Sequence, residues 1–318
     1  MRVAVTGGCG FIGSHVVDHL VEAGHDVLVI DLREQWRNDR AEYLLADMFD
    51  PAAIDAATAG RDAVFHLAGA ADVNEVAADP VQALRLNVEG VGRVLDSARR
   101  QGCARVVLAS TVWVYGATVG SGERTEDAFI DLRKAGHLYV STKLAAEMLM
   151  HSHQEMFGQE FTILRYGIPY GPRMRDALVV ARFVRSAQAG QPITIAGTGD
   201  QQRNFVYVED LAQAHVLALS PAAANQTLAL EGDTPVSVNE IAETVQHLVS
   251  PVPIEHVPGR PADYDGVNIS NRLAKELLNW SPTTPLAEGI RRYLVWLAQS
   301  PQAESSLAQS RVPDSSGV

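Results

Sequence analysis

Positive charge, cysteine and long apolar runs are all scarce in this chain of 318 residues. Its 26 Lys and Arg face 38 Asp and Glu, so the formal net charge is −12. Nucleic acids and anionic membrane surfaces are bound through cationic patches, so the composition predicts neither kind of partner. No apolar run approaches the roughly 20 residues of a membrane-spanning helix. The start of the sequence passes directly into a predicted strand, and we expect no targeting leader.

Two cysteines, Cys9 and Cys103, cannot form a disulfide framework, which favours a reducing cytoplasm. The sequence leaves the reactivity of either thiol open. With 47% hydrophobic and 20% charged residues, the composition is that of a globular protein. We expect a length of this kind to divide into a large domain and a further lobe or domain.

Short apolar runs alternate with segments of helical period in the first half, which predicts βαβ units and a parallel sheet. The predicted strands are Arg2–Val5, Val27–Ile30, Tyr43–Ala46, Ala63–Leu67, Arg105–Ala109 and Phe161–Leu164, and the predicted helices are Phe11–Ala23, Val81–Arg100 and His137–Met156. The sequence therefore predicts an α/β fold, with a doubly wound parallel sheet over residues 1–170 and a smaller C-terminal α/β lobe over residues 171–298. We expect the chain to cross back near residues 200–220, residues 251–266 to form an extended loop, and residues 299–318 to form a flexible tail.

A glycine-rich segment, TGGCGFIG, connects the first strand to the first helix at residues 6–13. By itself it is equally a plain strand–turn–helix corner. Its context, with Asp31 closing the second strand, favours dinucleotide binding, because glycines let helix amides approach a pyrophosphate. Asp31 suits the ribose of NAD and would repel the 2′-phosphate of NADP, while Arg33 keeps NADP open. The cofactor contacts predicted in the loop are Gly7, Gly10, Phe11, Ile12 and Gly13.

Further cofactor contacts are predicted where later strands end. These are Asp47 and Met48, near the adenine edge, and Leu67, Ala68 and Gly69, whose small side chains admit a ligand. His66 ends a buried strand, and we interpret it as a core residue rather than a catalyst.

Tyr139 and Lys143 stand four residues apart, on one face of a predicted helix. A neighbouring ammonium lowers a tyrosine pKa, which makes the phenol a useful acid and base. A surface Tyr–Lys pair is the alternative, but the chain has only three lysines and eight tyrosines. Chance placement would yield about 0.08 such pairs. Thr111, beside Ser110 at a strand end, can relay or orient the proton, or can simply cap a turn.

Together these segments resemble the NAD-dependent epimerase/dehydratase family of extended short-chain dehydrogenases/reductases, the group that contains the UDP-glucose 4-epimerases. The resemblance spans residues 1 to about 298 and rests on TGGCGFIG (6–13), HLAGA (66–70), NVEG (87–90), STVWVYG (110–116), YVSTK (139–143), LRYGIPYGPR (164–173) and RNFVYVEDL (203–211). It implies a Rossmann domain that binds NAD and a substrate-binding C-terminal lobe.

The resemblance also implies roles for individual residues. Thr111, Tyr139 and Lys143 match the catalytic triad, and further cofactor positions are Asn87, Ala109, Tyr166 and Gly167. Tyr139 would take the proton of the sugar 4-hydroxyl while a hydride passes to bound NAD, and the 4-keto sugar would turn and be reduced on its other face. Relatives that eliminate water or carbon dioxide carry an acid just after the threonine. Val112 and Trp113 stand there, which argues against a dehydratase or a decarboxylase.

For the substrate, the resemblance matches Arg203 and Arg260 to diphosphate-binding arginines and Asp263 to a positioning residue. Taken singly, each arginine could be a solvated surface charge. Two asparagines that the family often uses are replaced by Ile168 and Leu178, so the sugar could be unusual. Val267 falls where a small side chain would leave room around the hexose, and Arg173 and Arg175 could bind an anion or face solvent.

The sequence thus predicts NAD-dependent 4-epimerisation of a nucleoside-diphosphate hexose in the cytoplasm, with no metal site. Two alternatives stay open: an NAD(P)-dependent nucleotide-sugar 4-ketoreductase or dehydrogenase, and a non-catalytic cofactor-sensing or scaffold protein. The resemblance further implies a homodimer formed through the helices at Val81–Arg100 and His137–Met156.

Overall fold

The computed structural model describes residues 1–119, 122–259 and 268–300. Its strands are β1 (Arg2–Thr6), β2 (Asp26–Asp31), β3 (Glu42–Leu45), β4 (Ala63–His66), β5 (Arg105–Thr111), β6 (Glu160–Tyr166), β7 (Ile168–Tyr170), β8 (Ile193–Ala196), β9 (Gln202–Tyr207), β10 (Gln226–Leu230), β11 (Pro235–Ser237) and β12 (Ile254–Val257). Its α-helices are α1 (Phe11–Glu22), α2 (Pro51–Thr58), α3 (Val73–Ala78), α4 (Pro80–Leu84), α5 (Gly90–Arg100), α6 (Leu138–Phe157), α7 (Val179–Gln188), α8 (Val208–Leu217), α9 (Val238–Leu248), α10 (Arg272–Leu278) and α11 (Leu286–Gln299).

Seven parallel strands form the central sheet, in the order β10-β6-β5-β4-β1-β2-β3. Every residue of β4 and β5 is buried, as expected for strands covered by helices on both faces. The strand order reverses between β1 and β4, where a doubly wound sheet opens a crevice at the carboxyl ends of its strands. The predicted α/β fold with a Rossmann-type sheet is confirmed.

A second apolar core lies around α7, α9 and α11, next to the small sheets β11-β9-β7 and β12-β8. The chain crosses back more extensively than the sequence predicts. Helix α8 packs against α1, β10 extends the central sheet beside β6, and Trp280 joins the core of the first half. The indole of Trp280 also donates to the Asp210 carbonyl at 2.8 Å. Residues well beyond 170 therefore stabilise the sheet that carries the site.

Three predicted elements differ from the structure. The predicted helix Val81–Arg100 begins at Pro80, capped by Asp79, and passes through a π turn at Arg85–Glu89. The predicted loop over 251–266 contains β12, which pairs with β8. This pairing is formed by backbone groups, so the amino-acid composition of the segment does not predict it. The predicted tail begins too early, because Gln299 still belongs to α11. Residues 260–267 and 301–318 lie outside the described residues.

None of the helices within the described ranges has both the length and the apolar composition needed to cross a bilayer. The same ranges contain no group of three or more His, Cys, Asp and Glu side chains placed to hold a metal ion.

Three histidines are buried between these elements. His15 on α1 donates from Nε2 to the Pro172 carbonyl at 2.9 Å and so connects the first helix to the second half of the chain. Burial lowers the pKa of His15 and of His215 to about 4, and that of His66 to about 3. Each is neutral when folded but takes up a proton near pH 6.5 when unfolded. The contribution of these three histidines to stability is therefore fully present above this pH and is lost as pH falls toward 4.

Replacing His15 by Gln keeps a donor for Pro172 and removes one titrating group. Between about pH 7.5 and about pH 5.5, we expect the free energy of unfolding of His15→Gln to fall by about 1.4 kcal/mol less than that of the unsubstituted protein. Denaturant titrations at both pH values measure this. His151→Gln, at an exposed position, is the matched control. A fall as steep as that of the unsubstituted protein would contradict the assignment.

Candidate active site

The glycine loop has no side chains that would cover its backbone at the crevice. Gly7 has φ +74°, and a Cβ atom there would lie 2.6 Å from the Ala68 amide nitrogen. A Cβ atom at Gly13 would lie 2.1 Å from the Gly7 carbonyl oxygen. Gly10 precedes α1 without a side-chain cap, so the first helical amides, at Phe11, Ile12 and Gly13, carry the positive end of the helix dipole. This cradle fits the pyrophosphate of a dinucleotide.

Asp31 ends β2 beside this loop. Its carboxylate accepts from the Cys9 amide at 3.0 Å and from the Arg33 amide at 3.0 Å. The side chain of Asp31 is 8% exposed, while that of Arg33 is 65% exposed, with Nε 3.9 Å from the carboxylate. The carboxylate thus stands at the end of the cradle where a ribose belongs, and Arg33 extends into solvent next to it.

Asn87 joins the loop after β4 to the catalytic helix. Buried within the π turn, its amide accepts from the Ala70 nitrogen at 2.8 Å and donates to the Ala70 carbonyl at 2.9 Å and to Thr142 Oγ1 at 3.0 Å. A Cβ atom at Gly69 would lie 2.7 Å from Asn87 Oδ1. The predicted contacts Leu67, Ala68 and Gly69 therefore lie in the crevice on a backbone that Asn87 holds in place.

Two other predicted contacts follow β3 at the same edge. Asp47 is exposed and accepts from the Phe49 amide at 2.9 Å, whereas Met48 is buried in the core. The sulfur end of Met48 packs over Gly90, with Cε 2.6 Å from the place of a Cβ atom. Their contact with an adenine stays a prediction.

Thr111, Tyr139 and Lys143 meet at the carboxyl end of β5. Thr111 is the last residue of β5, and Tyr139 and Lys143 lie in the first turns of α6. The side chain of Thr111 lies close enough to that of Tyr139 to lower the pKa of the phenol. Lys143 Nζ donates to the Ala109 carbonyl at 2.9 Å and lies 5.9 Å from the centroid of the Tyr139 ring.

The pKa values of this group differ from the expectation that Lys143 lowers the pKa of Tyr139. Burial raises the pKa of Tyr139 to about 12, and the opposing influences are the hydrogen bond with Thr111 and the charge of Arg175. The lysine bonds to Ala109 instead of the phenol, so the cost of desolvating a phenolate dominates. Burial also lowers the pKa of Lys143 to about 8, with the Glu147 carboxylate opposing this.

The sequence did not predict a buried ion pair that lies next to Lys143. Glu147 lies one turn further along α6 and accepts from Arg165 Nη2 of β6 at 2.8 Å, with both side chains 6% exposed. Ser110 of β5 donates to the same carboxylate. A Glu four residues after the catalytic lysine is the signal that could have revealed it.

Tyr166 lies at the end of β6, within electrostatic reach of Tyr139. Its hydroxyl donates to His215 Nε2 at 2.6 Å, because His215 Nδ1 donates to the Leu211 carbonyl at 2.9 Å. Gly167 follows, and a Cβ atom there would lie 3.0 Å from Glu231 Cγ. His66 is buried, as expected, with Nδ1 2.7 Å from Thr6 Oγ1.

A cavity of about 320 Å³ opens beside Thr111. Among the residues that line it are Val112, Trp113, Ile168, Arg203, Asn204 and Glu231. Arg203 and Ile168 both line this cavity, and the contact of Arg203 with a substrate stays a prediction. Glu231 was not predicted, although a carboxylate directly after the apolar strand β10 was a visible signal. Arg260, Asp263 and Val267 lie outside the described residues.

Outside this cavity, Arg173 and Arg175 form ion pairs rather than free anion sites. Arg173 Nη1 lies 2.7 Å from Asp18, and Arg175 Nη1 lies 3.2 Å from Asp72. Leu178 immediately precedes α7 and packs against the second apolar core.

Both cysteines are buried, and burial raises the pKa of each thiol to about 11. Cys103 Sγ donates to the Thr58 carbonyl at 3.1 Å. Thiols with such pKa values stay protonated at neutral pH, so neither cysteine is an activated nucleophile.

Known proteins are similar to this chain in sequence and in fold. UDP-glucuronic acid decarboxylase 6 of Arabidopsis thaliana is 32% identical over 305 residues, which cover 91% of this chain and 87% of that protein. The structure of UDP-glucose 4-epimerase from Thermotoga maritima, solved with UDP-glucose, superposes with a TM-score of 0.87 at 27% identity, over 94% of this chain and 99% of that one. UDP-glucuronic acid 4-epimerase from Bacillus cereus, solved with UDP-glucuronic acid and NAD, gives a TM-score of 0.84 at 25% identity, over 94% and 99% of the two chains.

Residues 3–229 match the NAD dependent epimerase/dehydratase family. This match includes the glycine loop, Asp31 and all three catalytic candidates, and the cradle has the shape and polarity that NAD requires. The chain is therefore an enzyme of the NAD-dependent epimerase/dehydratase family, with NAD as its cofactor.

Proposed function

We propose that the protein is an NAD-dependent 4-epimerase of a UDP-hexose. The observation that carries the proposal is the contact between Thr111 and Tyr139 beside Lys143, at the end of the dinucleotide cradle. The side chains that follow Thr111 into the cavity are those of Val112 and Trp113, and neither can exchange a proton with a substrate. A 4-epimerase needs one group that acts as both acid and base, and Tyr139 can be that group.

The residues of the chain supply binding, orientation and proton transfer. The glycine loop and Asp31 would hold NAD⁺, which supplies the acceptor and donor of a hydride. Tyr139 accepts the proton of the sugar 4-hydroxyl and later returns it. Thr111 lies beside the phenol, and Thr111 and the charge of Arg175 both oppose the rise in the pKa of Tyr139 that burial causes. Because Tyr139 is buried, its phenolate is a strong base once the sugar has displaced water.

Decarboxylation of UDP-glucuronate is the second candidate, favoured by the similarity to the Arabidopsis decarboxylase. A decarboxylase also begins with oxidation at C4, so Thr111, Tyr139 and Lys143 would serve it equally. Trp113 argues against it, because an indole replaces the acid expected near the C5 and C6 atoms.

A homodimer in the cytoplasm remains our expectation. The two helical segments predicted to form the dimer expose apolar side chains, including Val81 at 76% and Met148 at 62%. Exposed apolar groups on neighbouring helices support an interface there.

Product analysis separates the two candidates. We expect UDP-glucose and UDP-galactose to equilibrate in either direction with no net change in reduced nicotinamide, because the cofactor is regenerated in each cycle. NMR of the sugar anomeric protons and absorbance of the nicotinamide measure both quantities. Conversion of UDP-glucuronate to UDP-xylose with release of carbon dioxide would contradict the proposal and favour the decarboxylase. Stoichiometric consumption of cofactor would favour a reductase.

Tyr139→Phe removes the hydroxyl and keeps the ring beside Trp113. We expect kcat to fall by at least about 10³-fold, because the phenol is the group proposed to exchange the proton of the sugar 4-hydroxyl, while NAD stays bound. Turnover assays and the NAD content of the purified variant measure the two effects. Tyr43→Phe, at a tyrosine whose hydroxyl accepts from the Asn38 amide at 2.7 Å away from the catalytic group, is the control. Nearly full activity of Tyr139→Phe would refute the role of its hydroxyl.

Asp31→Asn removes the charge but keeps an oxygen for the Cys9 amide. We expect the affinity for NAD to fall by about tenfold and the preference for NAD over NADP to shrink, because the carboxylate no longer repels a 2′-phosphate. Equilibrium binding of both cofactors measures this. Asp39→Asn, at an exposed position, should bind both as the unsubstituted protein does. An unchanged ratio of the two affinities would show that Asp31 does not select the cofactor.

A further inference from the structure

Glu231 occupies a fixed place at the carboxyl edge of the central sheet. It directly follows β10, whose last residue Leu230 pairs with Tyr166 of β6. Asn271 clamps its backbone: the Glu231 amide donates to Asn271 Oδ1 at 3.0 Å, and its carbonyl accepts from Asn271 Nδ2 at 2.6 Å. These two hydrogen bonds fix the backbone of Glu231 and so restrict the direction of its side chain.

The carboxyl group of Glu231 is buried, and one of its two oxygen atoms lacks a hydrogen bond to the described residues. Glu231 is 6% exposed, and the side chain of Asn204 lies near its carboxyl group and opposes the rise in its pKa. Its Oε2 atom is buried without a hydrogen-bond partner among the described residues. A buried polar atom without a partner costs stability, so such an atom in a binding cavity indicates a place for a ligand group. Burial also raises the pKa of Glu231 to about 8.

The cavity that Glu231 lines adjoins the catalytic residues through Trp113. Val112 and Trp113, which follow Thr111, both line it. The Trp113 ring packs edge-on against the Tyr139 ring, with centroids 6.2 Å apart and planes at 87°. A sugar whose 4-hydroxyl reaches Tyr139 therefore extends past Trp113 into the cavity that Glu231 lines.

We propose that Glu231 is a specificity-determining residue that hydrogen-bonds a hydroxyl group of the hexose and disfavours a hexuronate. The inference rests on the proposed function, because it takes the occupant of the cavity to be the sugar of a UDP-sugar. A hydroxyl group satisfies Oε2 whether the carboxyl group is protonated or ionised, since it can accept or donate. Glu231 thus distinguishes a UDP-hexose from UDP-glucuronate, two kinds of substrate within one family.

The disadvantage of a hexuronate follows from charge. Two carboxyl groups in one desolvated pocket cannot both ionise without cost, so Glu231 would have to keep its proton when UDP-glucuronate binds. Arg203 is the other ionisable residue among the described ones that line the cavity, and its Nη1 donates to the Gln202 carbonyl at 2.7 Å. Asp233 and Lys275, on the far side of Asn271, pair with each other at 2.9 Å.

Equilibrium binding tests the inference without relying on turnover. The NAD-loaded protein is titrated with UDP, UDP-glucose and UDP-glucuronate at about pH 8.5, above the pKa of Glu231. The variants are Glu231→Gln, which keeps the shape and the polar contact, and Glu231→Leu, which removes both. Glu243→Gln makes the same change as the first at an exposed position and is the matched control.

We expect the unsubstituted protein and Glu243→Gln to bind UDP-glucose at least about tenfold more tightly than UDP-glucuronate. Glu231→Leu should weaken the binding of UDP-glucose by about tenfold and leave that of UDP unchanged. Glu231→Gln should bring the two UDP-sugars to within about threefold of each other, mainly through tighter binding of UDP-glucuronate.

Three results would overturn the inference: tighter binding of UDP-glucuronate than of UDP-glucose by the unsubstituted protein, unchanged ratios in both Glu231 variants, or equal weakening of UDP and UDP-glucose by Glu231→Leu. The last would assign Glu231 a structural role. If the NAD-loaded protein binds none of the three ligands, the proposed function fails, and this inference fails with it.

Discussion

A lysine ammonium taken out of water needs a hydrogen-bond acceptor and a compensating charge, and the active site is organised around how Lys143 obtains both. The acceptor is the Ala109 carbonyl on β5, two residues before Thr111. The same bond therefore brings Tyr139, on the helix of Lys143, against Thr111. The compensating charge is Glu147, which Arg165 and Ser110 hold in place from β6 and β5. Removing the charge of Glu147 would leave the buried charges of Lys143 and Arg165 without a partner. The strands β5 and β6 and the helix α6 therefore depend on one another at the catalytic residues.

The cradle and the sugar cavity obey different constraints. The cradle depends on backbone, because Gly7 and Gly13 leave no room for any side chain, so its sequence is narrowly restricted. The cavity depends on side chains, which can change without disturbing the sheet. Trp113 and Ile168, two of the departures from the family pattern noted in the sequence, line this one cavity together with Glu231, whereas Leu178 packs against the second apolar core. The proposed chemistry therefore depends on restricted segments, and the proposed specificity depends on side chains that can vary.

The sequence predicts the sheet, the glycine loop and the Tyr139–Lys143 pair because each depends on local spacing. It does not predict the π turn around Asn87, the pairing of β12 with β8 or the ion pair of Glu147 with Arg165, because these depend on residues far apart in the chain. The expected effect of Lys143 on the pKa of Tyr139 failed for the same reason: spacing places the two on one helix face, but the neighbouring strand determines what the ammonium bonds. Glu231 is a similar case, since its proposed role depends on a cavity assembled from five separate segments.

The central claim is that one site removes a hydride from C4 of a UDP-hexose and returns it to the same sugar. UDP-glucose deuterated at C4 tests this most directly, with mass spectrometry of the UDP-galactose formed in the presence of excess unlabelled NADH. The account predicts that deuterium remains at C4 of the product, because the hydride never leaves the site between the two transfers. Loss of deuterium to the NADH pool, or a product that lacks C6, would contradict it.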